Sequence, residues 1–112
     1  MPRFVVLEHQ TDAGAHFDLM LEHEGVLLTW SFASFPAPGA QCKSLFDHAL
    51  RFLDTEGPLR NAPGSVRRVE SGTFDLTARR ADAVHVTLAG ARLSGDFQLT
   101  QSPDGVWTFD AL

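Results

Sequence analysis

The sequence predicts a mainly β fold: a compact antiparallel β-barrel of about eight short strands with one or two short helices. Three observations carry that expectation. Short β-branched or alternating runs recur along the chain, and turn pairs such as Glu24-Gly25, Ala89-Gly90, Ser94-Gly95 and Asp104-Gly105 punctuate them. The length of 112 residues suits a single domain, expected over residues 1–112. In so short a chain, closing the sheet removes its exposed edges, which favours a barrel.

Each element has its own justification. Arg3 to Glu8 reads as a short strand built on Phe4-Val5-Val6-Leu7, with the loop Gln10 to Ala15 after it. His16 to His23 alternates strictly: Phe17, Leu19 and Leu21 share one face, and His16, Asp18, Met20 and Glu22 the other. Glu24-Gly25 then turns the chain into Val26 to Phe32, completing a hairpin. The proline-rich connector Phe35-Pro36-Ala37-Pro38-Gly39 suits neither a central strand nor a helix interior. Ser44 to Leu53 reads as a short helix, with Leu45, Phe46, Leu50 and Leu53 near helical spacing and Ser44 as N-cap. Further strands are expected at Ser65–Val69, Gly72–Thr77, Ala83–Leu88, Arg92–Thr100 and Val106–Phe109.

Composition narrows the function. A chain 44% hydrophobic is not intrinsically disordered. No apolar run approaches the ~20 residues of a membrane helix, and the N-terminus carries no signal-peptide pattern. Cys42 is the only cysteine, so no disulfide staples the chain, and a reducing cytoplasm is the expected location. Nine Lys and Arg against fourteen Asp and Glu leave a net charge of −5, which argues against an extended nucleic-acid clamp. A local pocket for one phosphate is not excluded by that balance.

The polar face of the second strand holds the chemistry. His16 and Asp18 project side by side, and His9 ends the preceding strand. Two imidazoles and a carboxylate suit Zn²⁺, Mn²⁺ or Fe²⁺ with coordination positions left open. Spacing alone leaves a competing reading, a solvated polar face beside an ordinary loop.

Longer stretches carry a resemblance. Arg3 to His9, His16 to Glu22 and Gly25 to Trp30, then Asp47-His48-Ala49-Leu50, Glu56-Gly57, Gly72-Thr73-Phe74 and Leu88 to Leu99, together resemble the 3′-phosphoesterase domain of bacterial DNA ligase D. The resemblance runs in order over almost the whole chain, here as a small stand-alone variant. It implies a β-barrel enzyme of DNA repair that uses a divalent metal, manganese first and zinc as the alternative, to trim phosphates and ribonucleotides from nucleic-acid 3′ ends. His9, His16 and Asp18 match the family's metal ligands and His48 its phosphate-contacting histidine, so His9 and His48 are the catalytic candidates. The implied partners are a DNA or RNA 3′ end and a DNA repair protein; a monomer without membrane contact is expected.

Departures from the family pattern bear on activity. The loop from His9 to His16 is one residue longer than usual. Met20 stands where the family has an arginine, and Phe52 where it has a tyrosine. A thioether offers phosphate neither charge nor donor. Arg51, Arg67 and Arg68 are candidate substitutes. A non-catalytic metal- or ligand-binding barrel is therefore the alternative to the enzyme. A third reading, a barrel for an apolar ligand, needs an apolar interior, whereas the inward candidates are histidine and aspartate. Glu22 is a candidate to support the metal face, His23 and His85 are expected at the surface, Trp30 and Trp107 in the core, and Cys42 without a nucleophilic role.

Overall fold

Strand β1 (Arg3–Thr11) is buried on both sides, and the plan of the molecule follows from it. Phe4 and Val6 enter a cluster of 17 buried residues, while Val5 and Leu7 enter a second cluster of six on the opposite face. A computed structural model describes all residues, Met1–Leu112. β1 pairs with β2 (Gly14–His23) and β2 with β3 (Val26–Phe32), all antiparallel. The turn between β2 and β3 is Glu24-Gly25, with φ of 50° and 83°. Two successive left-handed residues match the twist of a tight hairpin.

The ladder of β1 and β2 continues to Thr11 opposite Gly14. The expected loop over residues 10–15 thus shrinks to a turn at Asp12-Ala13, because backbone pairing satisfies more donors than an open loop would.

The expected helix over Ser44 to Leu53 does not form. β4 (Ala40–His48) occupies its first half, followed by one 3₁₀ turn, Leu50–Leu53. The apolar residues that suggested a helix do not share a buried face: Phe46 is 79% exposed, while Leu53 is buried. β3 needs a hydrogen-bonding neighbour on its free edge, and β4 supplies it from Lys43 to His48.

After the two-residue β5 (Gly57–Pro58), the strands expected at Ser65–Val69 and Gly72–Thr77 prove to be one, β6 (Ser65–Arg80). Its first half pairs with β1 and its second half with β7 (Ala83–Gly90). Gly72 sits at the crossing, where a Cβ would strike the Ala89 carbonyl, so the glycine permits close approach rather than a turn. β8 (Ser94–Gln101) and β9 (Trp107–Ala111) follow within two residues of expectation. β9 joins β4 through Ala40, Gln41 and Cys42. The β1–β6 pairing then brings the sheet back on itself as a ring of eight strands, with β5 flanking β6.

The larger cluster fills the ring. Phe32 and Phe109 meet edge to face at 5.7 Å, Phe97 stacks on Phe109 at 5.0 Å, and Trp30 meets Trp107 at 5.7 Å. Each such side chain contributes roughly 1.5–3 kcal/mol by leaving water. One buried carboxylate adjoins this core. Glu70 accepts backbone N–H bonds from Ser71, Ala91, Arg92 and Leu93 at 2.6–3.2 Å. Gly90 makes room for it, since a Cβ there would lie 2.8 Å from both Glu70 Oε2 and Phe4 Cζ.

Candidate functional site

Alternation along β2 puts Phe17, Leu19 and Leu21 with the ring core and leaves Asp18 and Met20 on the outside. The expectation of inward-facing polar residues is thereby corrected. His16 and Asp18 lie on the outer face, and the interior is apolar because both flanking strands turn their other face to it. His9 is directly opposite His16 in the β1–β2 ladder, and their rings meet edge to face at 4.8 Å.

One potential ligand atom from each of His9, His16 and Asp18 falls within 4.8 Å of the others. His16 Nδ1 is 2.8 Å from Asp18 Oδ1 and 3.2 Å from Ser31 Oγ. The carboxylate accepts the Nδ1 proton, so the Nε2 lone pair is free. His9 Nε2 lies 3.0 Å from the Pro63 carbonyl and donates to it, which frees the Nδ1 lone pair. Asp18 is 5% exposed, whereas His9 and His16 are half-buried. Two imidazole lone pairs and one carboxylate, each histidine oriented by a neighbour, are a donor set that fits a divalent cation of the first transition row.

Ser31 carried no signal of its own in the sequence. The two-residue turn at Glu24-Gly25 nevertheless counts back to place it opposite Asp18, as the ladder does. The Pro63 carbonyl had no sequence signal, because it reaches His9 from the segment between β5 and β6.

Below the triad the outer face is apolar. Met20, 2% exposed, joins Val5, Leu7, Leu27, Leu53 and Val66, and Phe52 packs against the same group. His48 ends β4 opposite Leu27, at the level of Glu22. It therefore shares the outer face but lies four β2 positions beyond Asp18, roughly 13 Å along the strand. The structure joins His9, His16 and Asp18 and leaves His48 outside their group. The His48 ring stacks on Phe46 at 4.9 Å, meets Phe52 at 5.7 Å, and donates from Nδ1 to the Phe46 carbonyl at 2.9 Å.

The candidate arginines separate by face. Arg67 pairs with Glu8 at 2.7 Å and so projects away from His9. Arg68 stands opposite Leu7, which is itself opposite Asp18, so it lies on the triad's face two strands across. Its guanidinium donates to the Leu53 carbonyl at 3.2 Å and meets Glu56 at 3.4 Å. Arg51 lies 4.9 Å over the Phe52 ring.

Glu22 does not support the metal face, because it accepts the Arg3 backbone N–H at 2.9 Å at the far end of β2. His23 is half-buried beside Glu24 rather than exposed, while His85, half-buried between the core residues Val84 and Val86, faces outward as its alternation suggests. Trp30 and Trp107 are core residues as expected. Burial pushes the Cys42 thiol up to about 12, which accords with an inert core cysteine. No helix is long and apolar enough to cross a membrane.

Comparison with known proteins adds an independent finding. The model of one family, the DNA Ligase D 3′-phosphoesterase domain, matches residues 7–101. The "Multifunctional non-homologous end joining protein LigD" of Mycobacterium bovis is 29% identical over 115 aligned positions, covering 93% of this chain and 15% of that protein. The "Multifunctional non-homologous end joining DNA repair protein LigD" of Mycobacterium tuberculosis gives the same figures. The chain thus spans about 15% of the length of these curated relatives.

Proposed function

This chain belongs to the DNA Ligase D 3′-phosphoesterase domain family, and on that premise we propose that it is a metal-dependent phosphoesterase acting on nucleic-acid 3′ ends in DNA repair. The observation that carries the reading is the triad: three ligand-type side chains within 4.8 Å, with both histidines oriented by neighbours. Manganese is the first candidate, with zinc next. The bound cation would supply Lewis-acid polarisation of a phosphoryl oxygen, local positive charge that a chain of net charge −5 otherwise lacks.

The chain's own residues do the rest. Asp18 and Ser31 hold His16 through Nδ1, and the Pro63 carbonyl holds His9 through Nε2, so a neighbour fixes the orientation of each ring. Arg68 is the arginine best placed to replace the guanidinium lost at Met20, since it alone of Arg67 and Arg68 shares the triad's face. Leaving Glu56 for a phosphate would exchange one charge-assisted contact for another. His48 donates Nδ1–H to the Phe46 carbonyl, so its Nε2 can give a proton to a phosphate oxygen only as imidazolium. Its offset from Asp18 makes it a contact to the incoming strand.

A second reading, a metal-binding domain without turnover, is favoured by the burial of Met20 in an apolar cluster where the family's arginine would sit. One experiment decides between them. Mn²⁺-loaded protein is incubated with a labelled primer–template ending in a 3′-phosphate or a single ribonucleotide, beside a His16→Ala control. Release of phosphate or ribonucleoside above the control is expected. Stoichiometric metal with no product above the control assigns the second reading.

A further inference from the structure

An aromatic ladder runs along the same outer face without a partner at its end. Phe46 is 79% exposed, which is unusual for a phenyl ring on a strand. It is not a stray surface residue. Its ring lies parallel to His48 at 4.9 Å with an interplanar angle of 3°, and His48 meets Phe52 edge-on at 5.7 Å. Phe52 is seated on the apolar cluster below, and the Arg51 guanidinium lies over it at 4.9 Å. Arg51 forms no ion pair within the protein. The ladder thus fixes the Phe46 ring from one side and leaves its other side to solvent.

From this geometry we infer that the free side of Phe46 stacks one of the last two bases of a nucleic-acid strand whose 3′ end lies at His9, His16 and Asp18. The inference rests on the proposed function and adds a base-binding position to it. Two observations favour a base as the occupant. The flat ring already stacks on His48 with one face, so less side-chain freedom is lost when its other face is covered. The distance also fits, since Phe46 lies between the levels of Met20 and Glu22, roughly 10 Å along the strands and two strands across from Asp18, the reach of about two nucleotides. Stacking on aromatic faces tolerates every base, so the position would supply affinity without sequence preference.

The test uses the Mn²⁺-loaded protein and a short DNA strand with a 3′-hydroxyl, which is not consumed, carrying 2-aminopurine at each of its last two positions in turn. Binding should quench 2-aminopurine at one of them. Phe46→Ala should abolish the quenching and weaken binding about tenfold, whereas Phe46→Tyr should restore both. A strand abasic at the quenched position should bind the wild type about tenfold more weakly and gain nothing from Phe46. Quenching that survives in Phe46→Ala, equal binding of abasic and intact strands, or no binding of either, overturns the inference. The proposed function is read separately, from phosphate release on a 3′-phosphate strand. Turnover without base dependence removes only the stacking position. Phe46-dependent quenching without turnover leaves it standing and removes the esterase.

Discussion

Met20 and Phe52 pack into one apolar cluster on the outer face of the ring, beside the triad. They are also the two positions where the family pattern has an arginine and a tyrosine. The replacements are therefore coupled: losing the charge and the hydroxyl together leaves a cluster with no buried polar group to satisfy. Restoring one alone should be costly. Met20→Arg places a guanidinium at a position 2% exposed and should destabilise by about 3 kcal/mol or more, whereas Met20→Leu should cost under about 1.5 kcal/mol. Urea midpoints of the two variants check this. Equal midpoints would mean that the cluster opens readily to water.

Ser31 should tune the metal site without belonging to it. Its hydroxyl lies 3.2 Å from His16 Nδ1. Ser31→Ala should lower Mn²⁺ affinity by about tenfold, the lower end for a residue that orients a ligand, and leave the melting temperature nearly unchanged. Isothermal titration and a thermal melt on the same sample separate the two effects.

Arg68 should contribute to substrate binding. Arg68→Ala should raise KM for a 3′-phosphate strand by about tenfold, as expected for one lost charge-assisted contact. Arg67→Ala should leave KM unchanged, since that side chain is paired with Glu8 on the other face. Steady-state kinetics of both variants decide the assignment. An equal effect of the two would point to general charge instead of position.

Glu70 should make stability depend on acid pH. Burial by itself would raise its carboxyl, but the N–H groups of Leu93, Arg92, Ser71 and Ala91 outweigh that and hold it below the ordinary 4.5. A lowered folded value means the contribution is fully present above pH 4.5 and disappears as pH falls through the folded value. Glu70→Gln should therefore cost about 2–3 kcal/mol at pH 7. The gap to wild type should narrow below pH 4.5. Urea titrations from pH 7 to 3 read it directly, and a constant gap would show that the cradle does not hold a charge.

Several of these features were legible in the chain. Strict alternation gave β2 its two faces, and the Glu24-Gly25 turn set its register with β3, which places Ser31 at His16. The His9, His16 and Asp18 group was readable because short-range alternation and one adjacent hairpin assemble it. Residues 44–53 have apolar spacing that resembles a helix, while the deciding influence is the open edge of β3. Glu70 carries no signal in the sequence, since its four donors include residues 91–93, remote in sequence and brought close only by β6–β7 pairing.

What the sequence determines by itself is local: the β class, the hairpin, the family, and which side chains share a strand face. Those depend on alternation and turn chemistry between near neighbours. The tertiary structure alone decides that the triad lies outside the ring, that His48 is offset from it, and that Arg68, not Arg67, shares its face. The physical reason is that β1 is apolar on both sides, so its pattern cannot say which face is the interior. Closure through the β1–β6 pairing makes that choice.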